Sequence, residues 1–200
     1  MITKERLEDL TTCEGSPLSV CVGTWRQYRT GGPLSMGSPF IDLTECDGSA
    51  ELREALEALG FSGEDMGALF GHDAEGCLGE LLKDCDSINP LELADTVKAL
   101  DAETKRECGE SLRECGEDVA DLMDATGLEI DEVGEELGNY RALDADKLED
   151  AAWDVWDECG MLAEVPETVR FYIDFEQVGR DMEIEGVIVT NGERYFQYIG

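Results

Sequence analysis

GVIVTNGERYFQYI, residues 186–199, places two apolar runs on either side of Asn191-Gly192. Asn-Gly between such runs is the strongest short hairpin signal a sequence carries, because both turn positions need a positive φ that these residues accept. The stretch predicts two antiparallel strands. Upstream, VRFYIDF (169–175) reads as a further strand. Before it, the stretch from Asp144 to Cys159 sets Leu148, Ala152, Val155 and Cys159 at helical spacing, with Trp153 and Trp156 widening the apolar face. A helix followed by strands predicts an α+β unit over 141–200.

The other end has the same mixture. LSVCVGT (18–24) reads as a strand, Gly31-Gly32-Pro33 as a loop, and Phe40 to Leu43 as a second strand completing a hairpin. SAELREALEAL (49–59) then predicts an amphipathic helix with Ser49 as N-cap and leucines at 52, 56 and 59. Between the ends, 74–140 lacks strand patterning. One helix opens at Pro90 after Asn89 and another fills Ala102 to Thr126. The fold class is α+β: an N-terminal unit mixing helix and strand over 1–73, an acidic helical middle over 74–140 and a C-terminal α+β unit over 141–200. No internal repeat recurs at a fixed period.

Charge narrows the function. The 200 residues include 48 Asp and Glu against 15 Lys and Arg, a formal net charge of -33 with the single histidine neutral. The middle is the most acidic part, with 21 acidic and 6 basic residues over 71–142. Binding nucleic acid requires Lys and Arg to displace counterions from a backbone carrying about one charge per 1.7 Å, so a nucleic-acid partner is excluded and basic partners are implied. At 42% hydrophobic residues the chain is rich enough to bury cores, unlike an acidic disordered tail. No export signal opens the sequence and no run approaches the roughly 18 apolar residues of a spanning helix, which predicts a cytoplasmic protein with no membrane partner.

The chemistry of common enzymes is missing. No G-x-G-x-x-G, G-x-x-x-x-G-K-[ST], H-E-x-x-H or G-x-S-x-G occurs, and one histidine supplies neither a ligand set nor a base beside it. The expectation is a protein that is not an enzyme, with no catalytic residues, cofactor or metal. His72-Asp73 lacks the further histidines that a metal phosphohydrolase needs. The segment around Gly48 fails the calcium-loop pattern, since Leu43 stands where the first Asp belongs. Eight cysteines (13, 21, 46, 77, 85, 108, 115 and 159) include no C-x-x-C, and read as reduced, mostly buried thiols.

What stands out is a row of acids. Glu103, Glu107, Glu110, Glu114, Glu117, Asp121 and Asp124 are spaced alternately 4 and 3 apart, which puts seven carboxylates on one face of a 102–126 helix. Cys108, Leu112, Cys115, Val119 and Leu122 follow the same rhythm on the packing side. Over roughly 31 Å of helix the carboxylates recur about every 5 Å, near the 3.4 Å step of phosphates along a DNA strand. Like charges at this spacing cost about 0.2–0.5 kcal/mol per pair, so the row opposes folding unless something neutralises it. Asp146, Asp150, Asp154 and Asp157 repeat the arrangement on the 144–159 helix. These eleven are the candidate partner-binding residues, mimicking phosphates. Gly109 and Gly116 lie inside the long helix, marking either close packing or a break.

Three segments resemble the ArdA antirestriction proteins, acidic DNA mimics of mobile genetic elements. Tyr28, Gly31, Gly32, Phe40, Asp42 and Leu43 resemble the family's first hairpin. Phe70, Asp73 and Glu75 are similar to its aromatic-Asp-Glu element, and Tyr172, Asp174, Gly179, Arg180 and Asp181 resemble its near-terminal signature. The resemblance implies an elongated homodimer that copies bent B-form DNA and occupies the DNA groove of type I restriction-modification enzymes. The chain departs from the family in a leading segment of about 17 residues, in its cysteines and in its glycine-containing middle helix. Other readings of the acidity are a module for another DNA-binding protein, such as a CRISPR nuclease or nucleoid protein, and a halophilic or cation-binding domain.

Overall fold

The computed structural model describes residues 1–82 and 85–200. They divide into two compact units, Met1–Ala120 with Glu129–Gly134, and Asp121–Leu128 with Glu135–Gly200. The stretch 74–140 contributes to both.

Unit 1 is built round a middle strand. β1 (Ser19–Thr24) lies between β2 (Ile41–Asp42) and β3 (Leu69–Glu75) in an antiparallel sheet of order β2-β1-β3, with Val20 opposite Ile41 on one side and Ala74 on the other. All six residues of β1, polar Ser19 and Thr24 included, are buried, so both faces of this strand are covered and the pattern does not alternate. The expected pairing of β1 with β2 is made. No tight turn joins them, however, because α2 (Trp25–Thr30) intervenes. The Thr24 hydroxyl accepts the Gln27 N–H at 3.2 Å to start it, and Gly31 at φ 68 ends it.

α1 (Lys4–Leu10) begins where the Thr3 hydroxyl accepts the Arg6 N–H at 3.2 Å. The Arg6 guanidinium then grips Glu51 through bonds of 2.8 and 3.0 Å and donates to the Glu45 carbonyl at 2.6 Å, while Leu10 is fully buried. The leading segment is therefore an integral part of unit 1. Glu51 belongs to α3 (Ser49–Ala58), whose N-cap is Gly48. Ser49, expected as the cap, instead donates its N–H to Asp95 at 2.8 Å. Asp95 lies on α4 (Pro90–Glu107), which opens as expected at Pro90 with the Asn89 side chain accepting the Leu91 N–H at 3.0 Å. α5 (Leu112–Thr126) runs from unit 1 into unit 2, and α6 (Val133–Glu136) is a single turn.

In unit 2, β4 (Tyr140–Leu143), β5 (Ile188–Thr190) and β6 (Tyr195–Tyr198) form an antiparallel sheet of order β4-β6-β5. The hairpin expected at Asn191-Gly192 is present, with Thr190 opposite Tyr195 and a four-residue loop. Asn191 Oδ1 closes it by accepting the N–H groups of Glu193 at 3.0 Å and Arg194 at 2.9 Å, and Gly192 takes φ 94. α7 (Leu148–Glu158) buries Ala151, Ala152 and Val155 with Leu143 and Ile188. Two single turns, α8 (Met161–Glu164) and α9 (Glu167–Arg170), lead to α10 (Phe175–Ile184), which packs on α7.

The strand expected over 169–175 is not formed. Phe175, Val178 and Met182 follow a helical period and pack on the unit 2 core, and the Asp174 side chain caps the helix by accepting the Gln177 N–H at 3.0 Å. Phe171 and Tyr172 are left exposed between the helices. α7 also begins at Leu148 instead of Asp144, so Asp146 lies off the helix.

Candidate partner-binding site

The helix expected over 102–126 breaks. α4 ends at Glu107, and Gly109 turns the chain at φ 77, a conformation that opposes any residue with a Cβ. α5 is then restarted by Ser111 and Glu114. The Glu114 carboxylate accepts the Ser111 N–H at 2.9 Å and its hydroxyl at 2.7 Å, while the Leu112 N–H donates to Asp101 on α4 at 3.0 Å. Gly116 has the other role left open by the sequence. A Cβ there would lie 2.6 Å from the Pro17 ring, so this glycine permits close approach of α5 to the chain entering β1.

The break divides the acidic row. Glu103 and Glu107 are on α4, Glu110 is in the connection, and Glu114, Glu117, Asp121 and Asp124 are on α5, which itself kinks at Cys115 (φ -107, ψ 15). Leu112, Cys115, Val119 and Leu122 are buried as the packing stripe requires, whereas Cys108 is exposed in the break. By unit, Glu103 to Glu117 lie in the first and Asp121 and Asp124 in the second, together with Asp146, Asp150, Asp154 and Asp157.

Eight of the eleven carboxylates are exposed; Glu103, Asp121 and Asp154 are half-buried. Their surroundings differ. Arg106 pairs with Glu103 and, at 2.8 Å, with Glu107. Asp121 accepts the Asn191 side-chain amide at 2.9 Å and lies 3.6 Å from Arg194. The Ser111 hydroxyl, then its N–H, holds the Glu114 carboxyl below the usual glutamate range, so this group stays ionised. Among the described residues at least eleven of the chain's 15 Lys and Arg already sit in ion pairs. The surplus of carboxylates thus far exceeds what the chain's own cations compensate.

Two further carboxylates are interior. Asp42 is fully buried, its Oδ1 accepting the Thr44 N–H at 2.9 Å and hydroxyl at 2.6 Å, and its Oδ2 meeting Arg113 of α5 at 2.5 Å. Burial raises Asp65, but the Ser62 hydroxyl and N–H and the Arg26 guanidinium outweigh it and hold the carboxyl below the ordinary range. All eight cysteines are free thiols, three of them buried. Burial pushes Cys46 up to about 12 and Cys115 up to about 11, making both neutral packing groups at physiological pH. Among the described residues no three or more His, Cys, Asp or Glu side chains are grouped to hold a metal ion, and no helix is long and apolar enough to cross a membrane.

Fold and surface together define an acidic α+β protein that displays far more carboxylate than it neutralises internally. The model of the antirestriction protein (ArdA) family matches residues 20–197, and the chain belongs to that family. A search of curated proteins finds no match.

The residues behind the family resemblance are largely structural. Asp42 ties β2 to α5, Gly31 ends α2 and Asp174 caps α10. Gly179 is buried where a Cβ would lie 2.6 Å from Leu148 Cγ and 2.9 Å from the Leu148 carbonyl. Arg180 pairs with Glu176 on its own helix, and Asp181 accepts the Gln177 side-chain amide at 2.9 Å. Tyr28, Tyr172, Asp73 and Glu75 are exposed. Beyond the two acidic rows, Glu149 and Glu176, which the sequence did not single out, line a hollow beside Trp153 and Phe175 together with Asp174 of the near-terminal signature. Their one signal in the sequence is acids in the first turns of two helices.

Proposed function

We propose that the protein is a stoichiometric inhibitor that occupies the DNA-binding groove of type I restriction-modification enzymes by standing in for the phosphate backbone. The observation that carries this reading is the surplus of 33 negative charges on a folded chain whose few cations are mostly paired within it. A DNA groove is lined by Lys and Arg whose phosphate contacts set position and not sequence, so a carboxylate surface satisfies them without bases. At one charge per about 1.7 Å, 33 charges correspond to about 56 Å of duplex, and a homodimer doubles that length. No turnover is required of such an inhibitor, which needs neither cofactor nor catalytic residue and acts in the cytoplasm. The carboxylates of α4, α5 and α7 are the phosphate substitutes, with Glu110 and Asp146 flanking these helices. The test is to add the protein to a type I methyltransferase holding labelled target DNA. Release near one equivalent per site, weakening as salt rises, is the expected result; DNA retained at low salt and excess inhibitor would refute the reading.

A further inference from the structure

We propose that the hollow between the first turns of α7 and α10 is a seat for one cationic side chain, a lysine or arginine, of the partner protein; this rests on the inhibitor function above. The hollow has a volume of about 360 Å³ and is lined by Glu149, Asp150, Trp153, Asp174, Phe175 and Glu176, with Ile173 at its edge. Two independent features converge. The floor is aromatic: the Trp153 and Phe175 rings lie 4.9 Å apart at 60°, and Trp153 keeps 39% of its surface exposed while Ala151, Ala152 and Val155 of the same helix are buried. Among aromatic side chains an indole face is the strongest partner for a cation within about 6 Å. The rim is anionic, with four carboxylates from two helices.

Two of those carboxylates have local counterions, Glu149 with Lys147 at 3.4 Å and Glu176 with Arg180. Among the described residues the Asp174 carboxylate accepts only a backbone N–H, from Gln177 at 3.0 Å, and Asp150 makes no ion pair. A neutral aromatic ligand would bury these charges without compensation, whereas a cation pairs with them while its aliphatic stem lies along Trp153 and Ile173. The hollow shares Asp150 with the α7 row of phosphate substitutes and adds to it: it selects one side chain by shape and ring contact as well as by charge.

The test uses the full chain in two measurements. In the first, the Trp153 indole N–H resonance is followed while N-acetyl-arginine amide, N-acetyl-lysine amide or uncharged N-acetyl-norleucine amide is added. A saturable shift with the two cationic probes and none with the neutral one is expected; equal shifts, or none, overturn the seat. In the second, affinity for the type I methyltransferase is compared for wild type, Trp153→Leu and the double variant Asp150→Asn, Asp174→Asn. The double variant keeps a good N-cap at 174 and so guards against misfolding as the cause. Each variant is expected to bind about fivefold more weakly at fixed salt; wild-type affinity in both would overturn the proposal and leave the inhibitor function standing. Failure of the wild type itself to bind would instead refute the inhibitor function, and the probe titration would still decide the hollow.

Discussion

Replacing Asp42 by alanine tests whether the residues most evident in the family resemblance act in folding or in recognition. In the native protein its carboxylate satisfies the Thr44 N–H and hydroxyl and pairs with Arg113 at 2.5 Å, with no exposure of its own. Removing one partner of a buried pair costs about 3–5 kcal/mol, because the other charge is stranded. Arg113 is 34% exposed and keeps the Glu14 carbonyl at 2.9 Å and Glu45 at 3.5 Å, so the low end applies. The expected loss is about 3 kcal/mol, a large share of the 5–15 kcal/mol typical of a domain. Asp42→Asn keeps an acceptor for Thr44 but puts an amide NH2 where Oδ2 met the Arg113 guanidinium, so it loses the ion pair while sparing the Thr44 bonds and is expected to cost less than the alanine. Urea unfolding measures both, with segment-resolved hydrogen exchange to place the weakening in unit 1. At a temperature where each variant is folded, inhibition should equal wild type. A loss under about 1 kcal/mol for the alanine variant, or weaker inhibition by folded protein, would refute the structural role.

Other perturbations separate the elements of the account. Glu117→Gln should raise the melting temperature by relieving repulsion from Glu114 and Asp121 on α5, while Glu110→Gln, outside either helix, should leave it unchanged; equal gains would mean that the break at Gly109 is absent. Gly179→Ala should lower the melting temperature although alanine is the better helix former, because its Cβ meets the Leu148 carbonyl at 2.9 Å; a rise would show that α7 and α10 are less closely packed. The folded pKa of Asp65 lies below its unfolded value near 3.8, so its contribution is complete above that pH and is lost as pH falls through the folded value. Acid titration of Asp65→Asn should accordingly show lower stability at pH 6 and a shallower loss below pH 4; an unchanged acid limb would count against the Arg26 and Ser62 contacts.

Much of the fold could be read locally. Asn191-Gly192, Asn89-Pro90 and the leucines of α3 are short-range signals whose physics is complete within a few residues, and each element formed where it was expected. What escaped depended on distant partners. β3, with the sequence LFGHDAE, has no strand alternation and exists because β1 offers it six paired positions. The 169–175 run looked strand-like by composition, yet Phe175, Val178 and Met182 find their partners at a helical period on the unit 2 core. Gly109 and Gly116 read alike in sequence and do opposite things, one through its φ and the other through the nearness of Pro17. The acidic rows were legible as positions but not as environments: spacing located Asp121, and only the structure placed Asn191 and Arg194 beside it.

The central claim is that the carboxylate surface and DNA compete for one groove. Its most direct test is to measure the apparent affinity of the protein for a type I methyltransferase at several fixed concentrations of target duplex and constant salt. The account predicts that the apparent Kd rises in proportion to free DNA and that no complex of enzyme, DNA and inhibitor forms. An apparent Kd independent of DNA, or a stable ternary complex, would contradict it.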